Sequence, residues 1–151
     1  MKQTIFLSGD HAGFKLKGKL KPWLEKKGFE VKDFGPHKYN KNDDYPDFVI
    51  PMARAVVKDK NSVGIIVAGS GQGEIIAANK IKGIRAALFY GGNPKIVKVT
   101  REHNNANILS FGSRFVTENG AKKAIDIFLK TKFSGGRHKR RLRKIENLGS
   151  K

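Results

Sequence analysis

A glycine-spaced turn between an apolar run and a helix-forming run is the strongest candidate for chemistry in the chain. Residues 64–80 read GIIVAGSGQGEIIAANK, with glycine at positions 69, 71 and 73. Glycine permits a tight turn and a close approach of the backbone to a ligand, and a helix that starts near Glu74 directs unpaired N–H groups into that turn. The pattern predicts an anion-binding cradle with a carboxylate at its mouth.

The carboxylate of Glu74 has two interpretations. A negative side chain at a helix N-terminus can simply stabilise the helix through its dipole. A carboxylate beside preorganised N–H donors is also what removal of a proton next to a carbonyl group requires. Because the glycines supply such donors, we favour the second interpretation, in which Glu74 is a general base.

Composition limits the class of protein. A chain of 151 residues is predicted to form one domain with a single core. It contains no cysteine, which excludes disulfides, thiolate metal sites and a cysteine nucleophile. The apolar run near Met1 is too short for a signal peptide, and no later segment has the length and apolarity of a membrane span. We therefore expect a soluble cytoplasmic protein.

The positive charge of the chain raises nucleic-acid binding as an alternative function. Lys and Arg number 31 against 13 Asp and Glu, which gives a net charge of +18. Most of the lysines fall at positions typical of a solvated helix face. The dense cluster GGRHKRRLRK at residues 135–144 has no interleaved aromatic residues that could stack on bases. A smaller anionic ligand is sufficient to explain it, so nucleic-acid binding is not favoured.

Hydrophobic periodicity predicts short strands that alternate with amphipathic helices. The predicted strands are residues 4–7, 29–34, 63–67, 86–89 and 107–111; the predicted helices are residues 14–27, 48–59, 94–102 and 119–130, with another that opens over 74–79. This alternation is typical of a single α/β domain with a five-stranded parallel sheet covered on both faces. We assign residues 1–134 to this domain and 135–151 to a basic C-terminal segment of the same domain.

Polar residues follow several of the predicted strands. Asp10 and His11 come after the first strand, the glycine turn after the third and Arg114 after the fifth. Ligands of parallel sheets collect at the carboxyl ends of the strands, so these residues are expected to converge. Taken singly, Asp10 is typical of a loop or cap residue and Arg114 of a surface cation.

Six segments together resemble the ribose-5-phosphate isomerase B family, which comprises the RpiB, LacA and LacB sugar-phosphate isomerases. The segments are SGDHAGFKLK, DYPD, GSGQGEIIAANK, GIRAAL, REHNNANIL and GGRHKRR, and the resemblance spans residues 4–145. It implies a three-layer, Rossmann-like α/β/α fold and a homodimer, or a dimer of dimers, whose sites use both subunits. It also implies interconversion of ribose 5-phosphate and ribulose 5-phosphate through an enediolate, with neither metal nor organic cofactor.

The chain departs from many members of that family at one position. Those members carry a cysteine base directly before the glycine turn, where this chain has Ala68. The sequence GSGQGE instead resembles a subset, similar to actinobacterial members, that uses the glutamate as the base. The resemblance therefore also assigns this role to Glu74.

The resemblance assigns further residues to the site. His103 matches the proton donor, although a histidine near a helix C-terminus can equally serve the helix dipole. The positions that match substrate-binding residues are Asp10, His11, Gly69, Ser70, Gly71, Gln72, Gly73, Asn104, Arg114, Arg137 and Arg141. Five further residues of the C-terminal segment are interpreted as a solvated tail: His138, Lys139, Arg140, Arg143 and Lys144. A hexose 6-phosphate, of allose or galactose, remains an alternative substrate.

Overall fold

The computed structural model describes residues 2–148, and a five-stranded parallel sheet forms its centre. The strands are β1 (Thr4–Gly9), β2 (Glu30–Asp33), β3 (Ser62–Ala68), β4 (Ala86–Phe89) and β5 (Ile108–Gly112). Their order in the sheet is β2-β1-β3-β5-β4, and each neighbouring pair is parallel. The predicted parallel sheet is confirmed.

Helices connect successive strands and cover both faces of the sheet. They are α1 (Phe14–Lys26), α2 (Pro46–Lys58), α3 (Gln72–Asn79), α4 (Lys95–Asn104), α5 (Glu118–Lys130) and α6 (Gly136–Glu146). One core lies between the sheet and α1, α4 and α5, and includes Leu20 and Phe128. The other lies between the sheet and α2 and α3, and includes Met52. The predicted three-layer α/β/α fold is therefore confirmed.

Side chains of the central strands alternate between the two cores because successive residues of a strand point to opposite faces. In β1, Ile5 and Leu7 join the first core, whereas Phe6 joins the second. Each face of β1 thus meets a helical layer, which explains the continuous apolar run in its sequence.

Several helix boundaries differ from the prediction. The helix predicted to begin at Phe48 begins at Pro46, and Pro51 lies inside it rather than in its first turn. Pro46 suits the first position because proline has no N–H group and its φ is fixed near the helical value. The next helix, α3, begins at Gln72, two residues before Glu74, because Gly71 adopts a left-handed conformation and ends the turn there.

The basic C-terminal segment contains a helix that packs on the rest of the domain. Leu142 of α6 is buried, and Glu146 forms an ion pair of 3.0 Å with Arg85. Ahead of the helix, the backbone N–H of Ser134 donates to the carbonyl of Glu102 at the end of α4. Met1 and residues 149–151 lie outside the described residues, and the division at residue 134 stays a prediction.

Strand direction gives the sheet two distinct edges. Because all five strands are parallel, the loops after β1, β3 and β5 lie at the carboxyl edge, and the loops that enter the strands lie at the amino edge. Helix α4 returns from the end of β4 to the start of β5, so its last turn lies at the amino edge. Across residues 2–148, no helix has the length and apolarity needed to cross a membrane. The cytoplasmic location stays a prediction.

Candidate active site

The glycine turn at the carboxyl edge is shaped by Gly71. Its φ of 75° lies in the left-handed region, which glycine adopts without strain. The hydroxyl of Ser110 donates to the carbonyl of Gly71 at 3.1 Å, and the backbone N–H of Gln72 donates to Ser70 Oγ at 3.3 Å. The turn is therefore fixed from both sides, and α3 starts directly after it.

Two polar side chains lie directly against the glycines of this turn. A Cβ atom added at Gly69 would lie 3.1 Å from the guanidinium of Arg114, and one added at Gly73 would lie 2.5 Å from the hydroxyl of Tyr45. Glycine at these positions thus lets a cation and a phenol approach the backbone of the turn. Arg114 was predicted to lie here; Tyr45 was not.

Glu74 is buried at the start of α3, close to a second carboxylate. Its exposed fraction is 4 %, and that of Asp10 is 9 %. Burial raises the pKa of Glu74, and the neighbouring Asp10 carboxylate raises it further, although a hydrogen bond from the backbone N–H of Glu74 opposes them. Asp10 itself accepts a hydrogen bond of 3.0 Å from the backbone N–H of Gly13. A raised pKa makes Glu74 a stronger base than an ordinary glutamate.

His11 pairs with Asp43, a residue that the sequence analysis missed. The ring Nδ1 of His11 lies 2.6 Å from Asp43 Oδ1, and the backbone N–H of His11 donates to the same oxygen at 3.2 Å. The Asp43 side chain is 4 % exposed, and its Oδ2 has no partner among the described residues. The long polar loop that follows β2 was the available signal, because loops of that length are often functional.

A buried lysine anchors the loop that carries Asp43 and Tyr45. Lys17 is 2 % exposed, and its ammonium lies 2.6 Å from Asp33 Oδ1 and donates to the carbonyl of Pro36 at 3.0 Å. Burial lowers the pKa of Lys17, against the opposing effect of Asp33. Asp33 also accepts from the backbone N–H of Gly35 at 2.8 Å, so the start of the loop is tied to both β2 and α1.

The other predicted site residues lie at the amino edge. His103 and Asn104 form the end of α4, and Arg137 and Arg141 lie on α6; all four are exposed. The five residues of β5 separate the two edges by roughly 16 Å at about 3.3 Å a residue. Within one chain, His103 and Glu74 are therefore not brought together.

His138 stacks on His103, so its interpretation as part of a solvated tail is wrong. The two imidazole rings are nearly parallel, with an angle of 9° and centroids 4.2 Å apart. This contact could not be predicted from the sequence, because it depends on how α6 packs against the end of α4.

Comparison with known proteins places the chain among sugar-phosphate isomerases. The family model described as Ribose/Galactose Isomerase matches residues 5–145. The chain belongs to this family. It is 44 % identical over 146 residues to a Mycoplasma genitalium protein named probable ribose-5-phosphate isomerase B, with 96 % of this chain and 95 % of that protein covered. A Mycobacterium tuberculosis protein named ribose-5-phosphate isomerase B is 41 % identical over 139 residues, which are 91 % of this chain and 85 % of that protein.

Solved structures of the ribose/galactose isomerase family share the fold. A crystal structure of Mycoplasma genitalium ribose-5-phosphate isomerase B with bound ribulose-5-phosphate matches with a TM-score of 0.92 at 43 % identity. The match covers 98 % of this chain and 97 % of that one. The region matched by the family model includes both groups of predicted site residues, from Asp10 to Arg141.

Proposed function

We propose that this chain is a ribose-5-phosphate isomerase that interconverts ribose 5-phosphate and ribulose 5-phosphate through an enediolate. The observation that carries the proposal is the buried carboxylate of Glu74 at the end of the glycine turn, with Asp10 beside it. The relatives named ribose-5-phosphate isomerase B support the same reaction. A buried base with a raised pKa suits removal of a weakly acidic C–H proton.

Glu74 acts as the base in this reaction. It takes the proton from C2 of the open-chain aldose and returns it to C1, which gives the ketose. The backbone N–H groups of residues 69–73 stabilise the developing enediolate oxygen; loss of one such donor typically costs about a hundredfold or more in rate. Asp10 lies where it can accept hydrogen bonds from the sugar hydroxyls.

The second group of residues reaches the site from another subunit. His103 donates and accepts protons at the sugar oxygens and assists ring opening, with Asn104 contacting the substrate. Because these residues lie at the amino edge and are exposed, a single chain does not supply them to its own Glu74. A homodimer in which the amino edge of one subunit meets the carboxyl edge of the other completes two identical sites.

Arginines and a histidine hold the phosphate. Arg137 and Arg141 are four residues apart on α6 and so share one face of that helix. Their planar guanidinium groups form paired, charge-assisted hydrogen bonds with phosphate oxygens. Arg114 and His11 contribute from the carboxyl edge of the facing subunit. Binding energy from the phosphate thereby positions the reacting carbons.

An isomerase of a hexose 6-phosphate, such as allose or galactose 6-phosphate, is the second candidate. The description of the matching family, which names galactose beside ribose, favours keeping it. Nucleic-acid binding has less support, because the carboxylates of Glu74 and Asp10 at the cradle would repel a polyanion and have no role in binding it.

A direct assay of substrates tests the proposal. Initial rates are measured for ribose 5-phosphate, ribulose 5-phosphate, allose 6-phosphate and galactose 6-phosphate, with purified wild-type protein and the Glu74→Gln variant. We expect the pentose phosphates to be preferred. The variant should lose at least about a hundredfold in kcat at similar KM, because glutamine fills the same space and cannot take a proton. Near-normal turnover by Glu74→Gln would exclude Glu74 as the base.

A further inference from the structure

The stacked pair of His103 and His138 joins two helices at the amino edge. His103 lies in the last turn of α4, and His138 is the third residue of α6. With an angle of 9° and a centroid separation of 4.2 Å, one face of the His103 ring is covered by His138. The ring of His103 therefore has a defined plane even though the residue is exposed in the single chain.

The position of His138 is fixed by contacts on both sides of it. Before the helix, Ser134 N–H donates to Glu102 O at 3.0 Å, which ties the entry of α6 to the last turn of α4. After it, Leu142 is buried, and the ion pair between Glu146 and Arg85 holds the far end of α6. The stack is thus held by the packing of α6.

The surroundings of His138 disfavour its protonated form. The start of α6 carries the positive pole of the helix dipole, which disfavours a cation at His138. The charged groups that act on His138 are His103 and, on its own helix, Arg137 and Arg141. Burial first, and then these positive groups, lower the pKa of His138.

We propose that His138 is a positioning residue for His103: its ring covers one face of the His103 imidazole and fixes the plane of that imidazole. The inference rests on the proposed role of His103 in the isomerase reaction. It deepens that role by naming what orients the proton donor.

Two substitutions separate the stacking surface of His138 from its other properties. His138→Ala removes the surface, whereas His138→Phe restores a planar ring that cannot titrate. We expect His138→Ala to lower kcat for ribose 5-phosphate about tenfold with KM nearly unchanged, because a misplaced catalytic group costs about ten- to a hundredfold. His138→Phe should recover most of that loss. Lys139 is the next residue of α6 and is exposed, so Lys139→Ala is the matched control. Thermal unfolding of each variant checks that it is folded.

Nuclear magnetic resonance of the imidazole groups tests the stack directly. A ring stacked on another changes the chemical shifts of the covered ring, so the His103 signals should move in His138→Ala and keep most of that effect in His138→Phe. Unchanged His103 signals in His138→Ala would overturn the inference.

Other outcomes would also overturn the inference. A rise in KM for His138→Ala at constant kcat would make His138 a phosphate ligand, and an equal loss in His138→Phe and His138→Ala would show that its N–H, rather than its surface, is needed. His103→Asn separates this inference from the proposed function. If wild type is active and His103→Asn is impaired but His138→Ala is not, only the inference about His138 fails. If wild type converts no sugar phosphate, the proposed function fails. If His103→Asn is fully active, the role of His103 fails.

Discussion

A few buried carboxylates, rather than the many lysines and arginines, define the candidate chemistry of this protein. Glu74 and Asp10 are buried together at the carboxyl edge, although two buried carboxylates destabilise each other in their charged forms. Such a pair persists where function requires it. The same consideration applies to Asp43, whose buried Oδ2 has no partner among residues 2–148.

The raised pKa of Glu74 predicts a pH-dependent effect of Glu74→Gln on stability. Because the pKa of Glu74 is raised in the folded state, folding favours the neutral carboxyl group. The stabilisation that results is fully present below the pKa that Glu74 has in the unfolded chain, and it is lost as pH rises through the pKa that Glu74 has in the folded state. At about pH 8 the wild-type charge therefore destabilises the fold, and glutamine does not. We expect a higher melting temperature for Glu74→Gln at about pH 8 and no difference at about pH 4. If Glu74→Gln and wild type had the same melting temperature at both pH values, Glu74 would not be a buried carboxylate that destabilises the fold when charged.

Asp43→Asn tests whether Asp43 orients His11 for the phosphate. Loss of a charge-assisted hydrogen bond of about 1.5–3 kcal/mol should raise KM for ribose 5-phosphate about tenfold with a small change in kcat. Asp47→Asn makes the same chemical change at an exposed residue of α2 and serves as the control. An unchanged KM for Asp43→Asn would mean that the contact of 2.6 Å does not support substrate binding.

At the scale of elements, the strands were predictable and several connections were not. Apolar runs such as Val63–Val67 are buried on both faces of the sheet, and burial leaves a clear sequence pattern. The carboxyl-edge residues Asp10 and Arg114 could also be placed, because they follow strands directly. Asp43 and His138 could not, since their contacts span long stretches of sequence, and an exposed polar segment has no periodicity that fixes its packing.

Gly71→Ala tests the geometry of the glycine turn. An added Cβ would lie 2.7 Å from Ser110 Oγ and would force alanine into a left-handed conformation at φ 75°. We expect a loss of about 1 kcal/mol or more in the free energy of unfolding and a large loss of isomerase activity. Gly18→Ala, inside α1 with nothing within 4 Å of the added atom, should instead stabilise by about 0.5–1 kcal/mol and keep its activity. Urea unfolding and initial rates measure both effects, and a fully active Gly71→Ala would contradict the cradle.

For the whole molecule, strand direction separates the predicted catalytic groups. Glu74 and His103 lie at opposite edges because α4 must run back along the sheet before β5 begins. The family resemblance implied one site for both residues. The predicted helix boundaries already implied that the two residues are far apart in one chain, because a helix between parallel strands ends at the amino edge.

Mixed dimers test the shared site. Glu74→Gln and Arg137→Ala are each expected to be nearly inactive at substrate concentrations below KM. After unfolding and refolding together in equal amounts, half of the dimers contain one chain of each kind, and one of the two sites in such a dimer has both native groups. We expect about a quarter of wild-type activity. Mixed dimers verified by mass spectrometry that remain inactive would favour a site built from one chain.

The buried ammonium of Lys17 makes the loop before α2 accessible to a simple chemical measurement. Acylating reagents must reach the amine that they modify, so the Lys19 side chain, 51 % exposed, should react readily while the buried Lys17 should not. Modification of Lys17 requires its contacts with Asp33 and Pro36 to break, and therefore reports how often this loop detaches. The ratio of Lys17 labelling to Lys19 labelling measures loop opening in the native protein, with Lys19, two residues away in the chain, as the internal standard. A sugar phosphate that binds beneath the loop should lower the labelling of Lys17 relative to Lys19.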